Sequence, residues 1–528
     1  MRYLLALGML IMGCRPVAEE KAFPPFPAVT ATTNPQEKLV GTTAQVVRPQ
    51  PVAVEGYGLV GGLARTGSTD CPPPLRAYLH RFVQSEVPDR TLDIDALIRN
   101  PSTAVVRIEG RIPALARRND VFDLKIKTLT DSDATSLRGG WLYTAQLWPV
   151  GSDSQALHIV ASAHGPVYVD RLGQTGVDEC SGFILGGGTC QRSMVLNVVL
   201  NQADYRTSAA VRNVINLRFG AGTAVALDAQ HIQLQIPASY LRQRERFLAV
   251  VEQIPLNLQP DYLKQRGSYL VQQLPQAQNK LALELALEAL GTAGEPYLQS
   301  LLQSQDLGVR LLAARSLANL GTAEGLEVLR QIAVNVQSPV PLRVEAIKAL
   351  GATGNPVLAQ QILRPLWRDS SLDVVLTAYE QSLELGPRTV DRVTAGQYIQ
   401  VDSLDGGPRK AIVAYRSKVC RLALIGGPLS CQSGQNLISP DQTLWLDSRS
   451  DPGWVLVGRH RPGRADLGPV RCPNDLKIII QVLCADSHNT LDQPGGLGLS
   501  YADLLDFLKF LCDKGVIQAE FWGGPLPG

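Results

Sequence analysis

A repeat in the middle of the chain restricts its fold more than any other feature. The pair Leu-Gly occurs at Leu290-Gly291, Leu320-Gly321 and Leu350-Gly351, spaced by 30 residues, and again at Leu385-Gly386 after 35. The residues before each pair match as well: Leu287-Glu288-Ala289, Leu317-Ala318-Asn319 and Ile347-Lys348-Ala349. Upstream, apolar side chains fall at helical spacing, as at Leu283, Leu287 and Leu290, or Val344, Ile347 and Leu350. Each glycine is expected to end a helix, because it takes the positive φ of a C-cap at no steric cost. Two short helices per unit cannot bury an apolar stripe alone, whereas a stack of such units can.

Residues 270–387 thus resemble a short HEAT-like solenoid of three to four repeats; a plain helical bundle is the alternative. The flanks read differently. Between 39 and 262, strand-like runs at 104–113, 121–130, 141–150, 158–163 and 193–200 alternate apolar with polar residues. Helical patterns intervene at 74–86 and 204–219, and a strand at 231–237 and a helix at 239–254 follow. From 390 to 528 the text is again β-rich, closing with an expected strand at 476–483, a helix at 501–514 and a strand at 516–521. The expected fold class is α+β, a body split by an inserted all-α solenoid.

Charge excludes one function class. Of 528 residues, 50 are Lys or Arg and 48 Asp or Glu, a net charge of +2, so no summed field steers the chain to nucleic acid. Arg2 followed by the apolar run 4–13 reads as a secretory signal, residues 1–13, too short to span a bilayer. Gly13 directly precedes Cys14, and Ile11-Met12-Gly13-Cys14 resembles a bacterial lipobox, which makes Cys14 the expected lipidation site; an ordinary cleaved signal is the other reading. Residues 14–38, rich in Pro, Ala and Thr, read as a lipidated tether. The anchor would be the sole membrane contact, with Arg15 favouring the outer membrane. The other eight cysteines form an even set suited to an oxidising space. Cys180 with Cys190, and Cys420 with Cys431, flank glycine-bearing segments and are candidate disulfides closing hairpin loops. No C-x-x-C pair supports zinc.

Several blocks resemble the bacterial flagellar P-ring protein family. Residues 54–67 (VEGYGLVGGLARTG), 100–120, 131–140 with Ser136-Leu137-Arg138-Gly139-Gly140, 209–229 followed by 231–236, and 499–521 occur in family order. The lipobox, the helical insertion and the number of cysteines depart from that family, and residues 395–495 do not align with it. The resemblance implies a structural, non-enzymatic periplasmic component that self-associates into a ring around the flagellar rod. Its expected partners are further copies of itself, rod and L-ring proteins, and an unknown protein bound by the helical repeats. A non-flagellar envelope scaffold reusing the fold is the alternative.

No catalytic, metal or cofactor site is expected. Gly56-Tyr57-Gly58-Leu59-Val60-Gly61 fits G-x-G-x-x-G, but prolines interrupt the strand before it and no helix follows, so a glycine-bearing strand explains it better. The six histidines form no short metal pattern. Arg111, Arg117, Arg118, Lys125 and Lys127 form a candidate partner-binding patch, since alternation puts Lys125 and Lys127 on one strand face; a solvated strand face is the competing reading.

Overall fold

The computed structural model describes residues 38–86, 93–151, 159–172, 176–353, 355–386, 389–449, 451, 453–461, 465–486 and 495–527. Cys14, the signal 1–13 and nearly all of the tether lie outside the described residues.

A short helix α1 (Val40–Thr43) leads into strand β1 (Ala44–Val47) and the long strand β2 (Val52–Gly61), followed by helices α2 (Pro73–Glu86) and α3 (Ile94–Ile98). Strands β3 (Ala104–Ile112), β4 (Val121–Thr128), β5 (Trp141–Pro149), β6 (Ala161–Pro166) and β7 (Ser181–Cys190) complete a closed antiparallel barrel in the order β2-β3-β4-β7-β6-β5. Alternation decides what faces inward: Phe122, Leu124 and Ile126 of β4 are buried, while Lys125 is exposed. So small a barrel has little interior volume. A Cβ at Gly58 would lie 2.9 Å from a Leu142 methyl, and one at Gly188 would lie 2.7 Å from the Phe122 ring. The glycines of the G-x-G-x-x-G stretch therefore serve close packing inside a barrel strand.

Strand β8 (Leu196–Leu200) leaves the barrel for a second antiparallel sheet, ordered β1-β8-β10-β9, with β9 (Ala224–Ala226) and β10 (His231–Leu234). Helices α4 (Tyr205–Phe219) and α5 (Arg244–Gln253) share its core, with Val211, Ile215, Phe247, Leu248 and Val251 buried. The Asp204 carboxylate caps α4 by accepting from the Thr207 amide at 2.8 Å.

The solenoid follows as α6 (Pro260–Gln273), α7 (Lys280–Ala289), α8 (Glu295–Leu301), α9 (Leu307–Leu320), α10 (Ala323–Val334), α11 (Val340–Ala352), α12 (Pro356–Leu363) and α13 (Leu372–Leu385). Helices α7, α9, α11 and α13 form an inner row and α8, α10 and α12 an outer one. Gly291 and Gly321 take φ of +63° and +89° after α7 and α9, as the repeat requires. Gly351 does not. It lies inside α11, where a Cβ would sit 2.1 Å from the Gln381 Oε1, so its role is to let α13 pack close.

The C-terminal unit has a five-stranded mixed sheet, β11-β12-β14-β13-β19, made of β11 (Asp391–Ala395), β12 (Ile399–Leu404), β13 (Ala411–Tyr415), β14 (Arg421–Ile425) and the last strand, β19 (Glu520–Gly523). A four-stranded antiparallel sheet, β15 (Asn436–Ile438), β16 (Leu444–Asp447), β17 (Trp454–Arg459) and β18 (Leu467–Pro473), shares one core with helices α14 (Leu476–Cys484) and α15 (Tyr501–Asp513). The strand expected at 476–483 is thus helix α14, begun by Asp475 accepting from the Lys477 amide at 2.8 Å. Its buried residues, Leu476, Ile479, Ile480, Leu483 and Cys484, follow the helical period that the isoleucine run obscures. No described helix is long and apolar enough to cross a membrane.

Candidate functional site

The groups most distinctively placed by this fold are at the joints between its parts. Three carboxylates hold the barrel to the C-terminal unit. Asp123 of β4 accepts from the Gly186 amide at 2.6 Å and from the Lys418 amide at 2.7 Å, one in a barrel strand and one in the turn between β13 and β14. Burial raises its pKa, and these amides only partly offset that. Gly186 has φ of +63°, and a Cβ there would lie 1.9 Å from the Lys418 carbonyl oxygen, so the barrel strand and the turn meet backbone to backbone. Asp170 accepts from Arg416 at 3.0 Å and from the Tyr168 hydroxyl at 2.7 Å. Asp503, in the first turn of α15, accepts from Arg138 Nε at 2.7 Å, with Arg459 at 3.6 Å.

Beside Asp503 opens a cleft of about 290 Å³ lined by Arg138, Arg171, Asp441, Arg459 and Asp506 over Phe507. Burial pushes the Asp506 carboxyl up to about 6, with Arg171 opposing the shift and Asp503 adding to it. Burial also lowers the Arg459 pKa, against the pull of Asp503.

A second joint ties α5 to the solenoid through buried charge. Arg246 donates to Glu284 at 2.6 Å, to Glu288, and to the Ser316 hydroxyl at 3.1 Å. Arg315 holds Glu284 from the far side at 2.9 and 2.5 Å, and the Tyr240 hydroxyl donates to Glu288 at 2.7 Å. Burial alone would raise the Glu284 pKa, but Arg246 and Arg315 outweigh it and hold it below the usual carboxylate range. Two arginines thus neutralise two glutamates, which is what makes such charge tolerable in a core.

Among the described residues no group of three or more His, Cys, Asp or Glu is placed to hold a metal ion. Five of the thiols are poor nucleophiles: burial pushes Cys190 and Cys472 up to about 11, and Cys420, Cys431 and Cys512 up to about 12. The site chemistry is that of interlocked parts.

Comparison with known proteins agrees with that character. Residues 41–263 match the family described as Flagellar P-ring protein. That stretch is similar to the flagellar P-ring family. Residues 295–384 match HEAT repeats. The flagellar P-ring protein of Yersinia pseudotuberculosis serotype O:3 is 30% identical over 233 residues, covering 41% of this chain and 60% of that protein. That of Escherichia fergusonii is 27% identical over 254 residues, covering 45% and 67%. That of Burkholderia pseudomallei is 31% identical over 231 residues, covering 38% and 55%. The chain spans about 60% of the length of the first of these relatives. The family is structural, not enzymatic.

Within the P-ring region, the structure does not gather the expected basic patch. Lys125 and Lys127 share the outer face of β4, where their cross-strand neighbours on β3 are Glu109 and Arg107, and Arg107 is itself paired with Glu55 at 2.9 Å. Arg111 lies near the far end of β3, and Arg117 and Arg118 in the loop beyond it, where their amides are held by Asp120 and Ser193. The patch is a mixed-charge strand face plus a separate loop.

The cysteine expectation also needs correction. Cys180 and Cys190 flank no hairpin: Ser181–Cys190 is a single strand, β7. At about 3.3 Å per residue their Cα atoms stand roughly 30 Å apart, far beyond the reach of about 7 Å for a disulfide. Strand β14 and its exit turn lie between Cys420 and Cys431, and the Cys431 backbone forms an isolated antiparallel bridge with Ile517. All eight described cysteines are unpaired.

Sequence reasoning missed Arg246, Glu284, Glu288, Arg138 and Asp503. One signal was present: Glu284 and Glu288 are the only polar residues in the run 281–290, at i and i+4, where a solvated helix would show a broad polar face.

Proposed function

We propose that this chain is a structural subunit of the bacterial flagellar basal body that self-assembles into a periplasmic P-ring-like bushing around the rod, contacting rod and L-ring proteins and tethered to the outer membrane through lipidated Cys14. The observation that carries this reading is the family match over residues 41–263, which coincides with the barrel, the sheet β1-β8-β10-β9 and α5. A load-bearing ring calls for subunits that do not deform, and the carboxylate clips and the neutralised buried cluster suit that demand. Closure would need a head-to-tail interface whose rotation completes a full turn. The non-flagellar scaffold is not favoured, because the named relatives are all P-ring proteins.

Deletion of the gene, followed by a motility assay and complementation, tests the proposal. Loss of swimming restored by the full chain is expected, and normal swimming in the deletion strain would contradict it. For the anchor, Cys14→Ser should abolish lipid labelling and release the chain from the membrane fraction; unchanged labelling refutes that part alone.

A further inference from the structure

We infer that the helical insertion is an internal brace: its inner row of helices takes this chain's own segment 240–246 as partner and so locks the P-ring region to the C-terminal unit. A HEAT stack exposes the ends and inner faces of its first helices, and a bound segment would be expected to run across several of them. That is what 240–246 does. The Tyr240 hydroxyl reaches Glu288 of α7 at 2.7 Å, and Gln243 donates to Asn319 of α9 at 2.7 Å. The Arg242 guanidinium donates to the Gly351 carbonyl at the end of α11 and to the Glu384 carbonyl at the end of α13, both at 2.9 Å. Arg246 adds the contacts to α7 and α9 described above.

One short segment therefore touches all four inner helices. Its chemistry fits the surface it meets. The last carbonyls of a helix have no partner within it and carry partial negative charge, and a planar cationic fork satisfies two of them at once. The side chains used are those that a foreign ligand would need to displace.

The far end of the row is fixed as well. Tyr379 of α13 donates to the fully buried Asp402 of β12 at 2.5 Å, and Asp402 is also held by Arg392 at 2.6 and 2.7 Å. Apolar residues of α13 share a core with Ala411, Val413, Ala423 and Ile425 of the five-stranded sheet. The C-terminal unit returns to the barrel through Asp123, Asp170 and Asp503. Barrel, α5, solenoid and C-terminal unit thus close a continuous frame, with the insertion as one side of it. An unknown protein bound by the helical repeats would therefore have to use a surface other than this occupied inner row. The surface left open is the outer row, with Glu324, Glu327, Arg330 and Gln331 of α10 exposed.

Hydrogen exchange measured by mass spectrometry on the full chain tests the brace. In the wild type, the last turns of α11 and α13 should be as protected as their middles. Arg242→Ala should speed exchange at those two ends by roughly tenfold, consistent with loss of charge-assisted hydrogen bonds, and leave α10 and α12 unchanged. Arg242→Lys, which keeps the charge but loses the fork, should fall between. Unchanged exchange at both ends in Arg242→Ala overturns the proposal, as does free exchange there in the wild type. If Arg242→Ala speeds exchange everywhere, Arg242→Lys decides: an effect confined to the two ends supports the brace, and wild-type exchange there refutes it.

Discussion

Replacing Arg246 with methionine would keep the length of its stem and remove its charge from a site that is 3% exposed. The cluster would then hold Arg315 against Glu284 and Glu288, one negative charge in excess at a buried site. Breaking a buried pair from one side costs about 3–5 kcal/mol, against a total stability on the order of 5–15 kcal/mol for a domain. At 2.6 Å from Glu284, Arg246 is too close for screening by salt to matter. The R246M variant should therefore lose about 3–5 kcal/mol of local stability, read as faster exchange of the α7 amides and a lower denaturant midpoint. The double variant R246M/E288M removes one charge of each sign and should recover most of that loss, since apolar replacement of a buried pair is often neutral. A cost for R246M below about 1 kcal/mol, or a double variant no better than the single, would refute the account of this joint. The pH dependence has a definite sign: a Glu284 pKa held below its unfolded value stabilises the fold at neutral pH, and that contribution is lost as pH falls through the folded pKa.

Gly186→Ala should destabilise by about 1–3 kcal/mol, from the strained φ and the collision with the Lys418 carbonyl, and speed proteolysis of the turn between β13 and β14. Asp506 titrates near 6 in the fold, above its unfolded value, so the folded state binds the extra proton and stability falls as pH rises from about 4 to 6. Asp506→Asn should flatten part of that slope, on the order of 1 kcal/mol after allowance for its partial exposure, in denaturation midpoints taken at pH 5 and 7. Peptide mapping of the oxidised protein should recover no Cys180–Cys190 disulfide.

The order of parts was readable because it rests on local patterns. The Leu-Gly period marked the solenoid, and alternation marked β3, β4 and β5. Where local text was ambiguous the reading failed. The isoleucines of α14 mimic a buried strand, and Gly351 shares the repeat register of Gly291 and Gly321 while serving helix packing instead of a cap. The joints lay beyond sequence logic, because their partners are remote: Arg138 and Asp503 are 365 residues apart, and Asp123 meets Lys418 across 295. The Cys180–Cys190 expectation failed for a different reason: close spacing along the chain says nothing about whether the intervening residues turn or run straight, and here they form strand β7.

Electron cryotomography of basal bodies in cells that depend on this chain tests the central claim most directly. Deleting its gene should remove the periplasmic ring density around the rod, and re-expressing the full chain should restore it. An intact ring in the deletion strain would contradict the account.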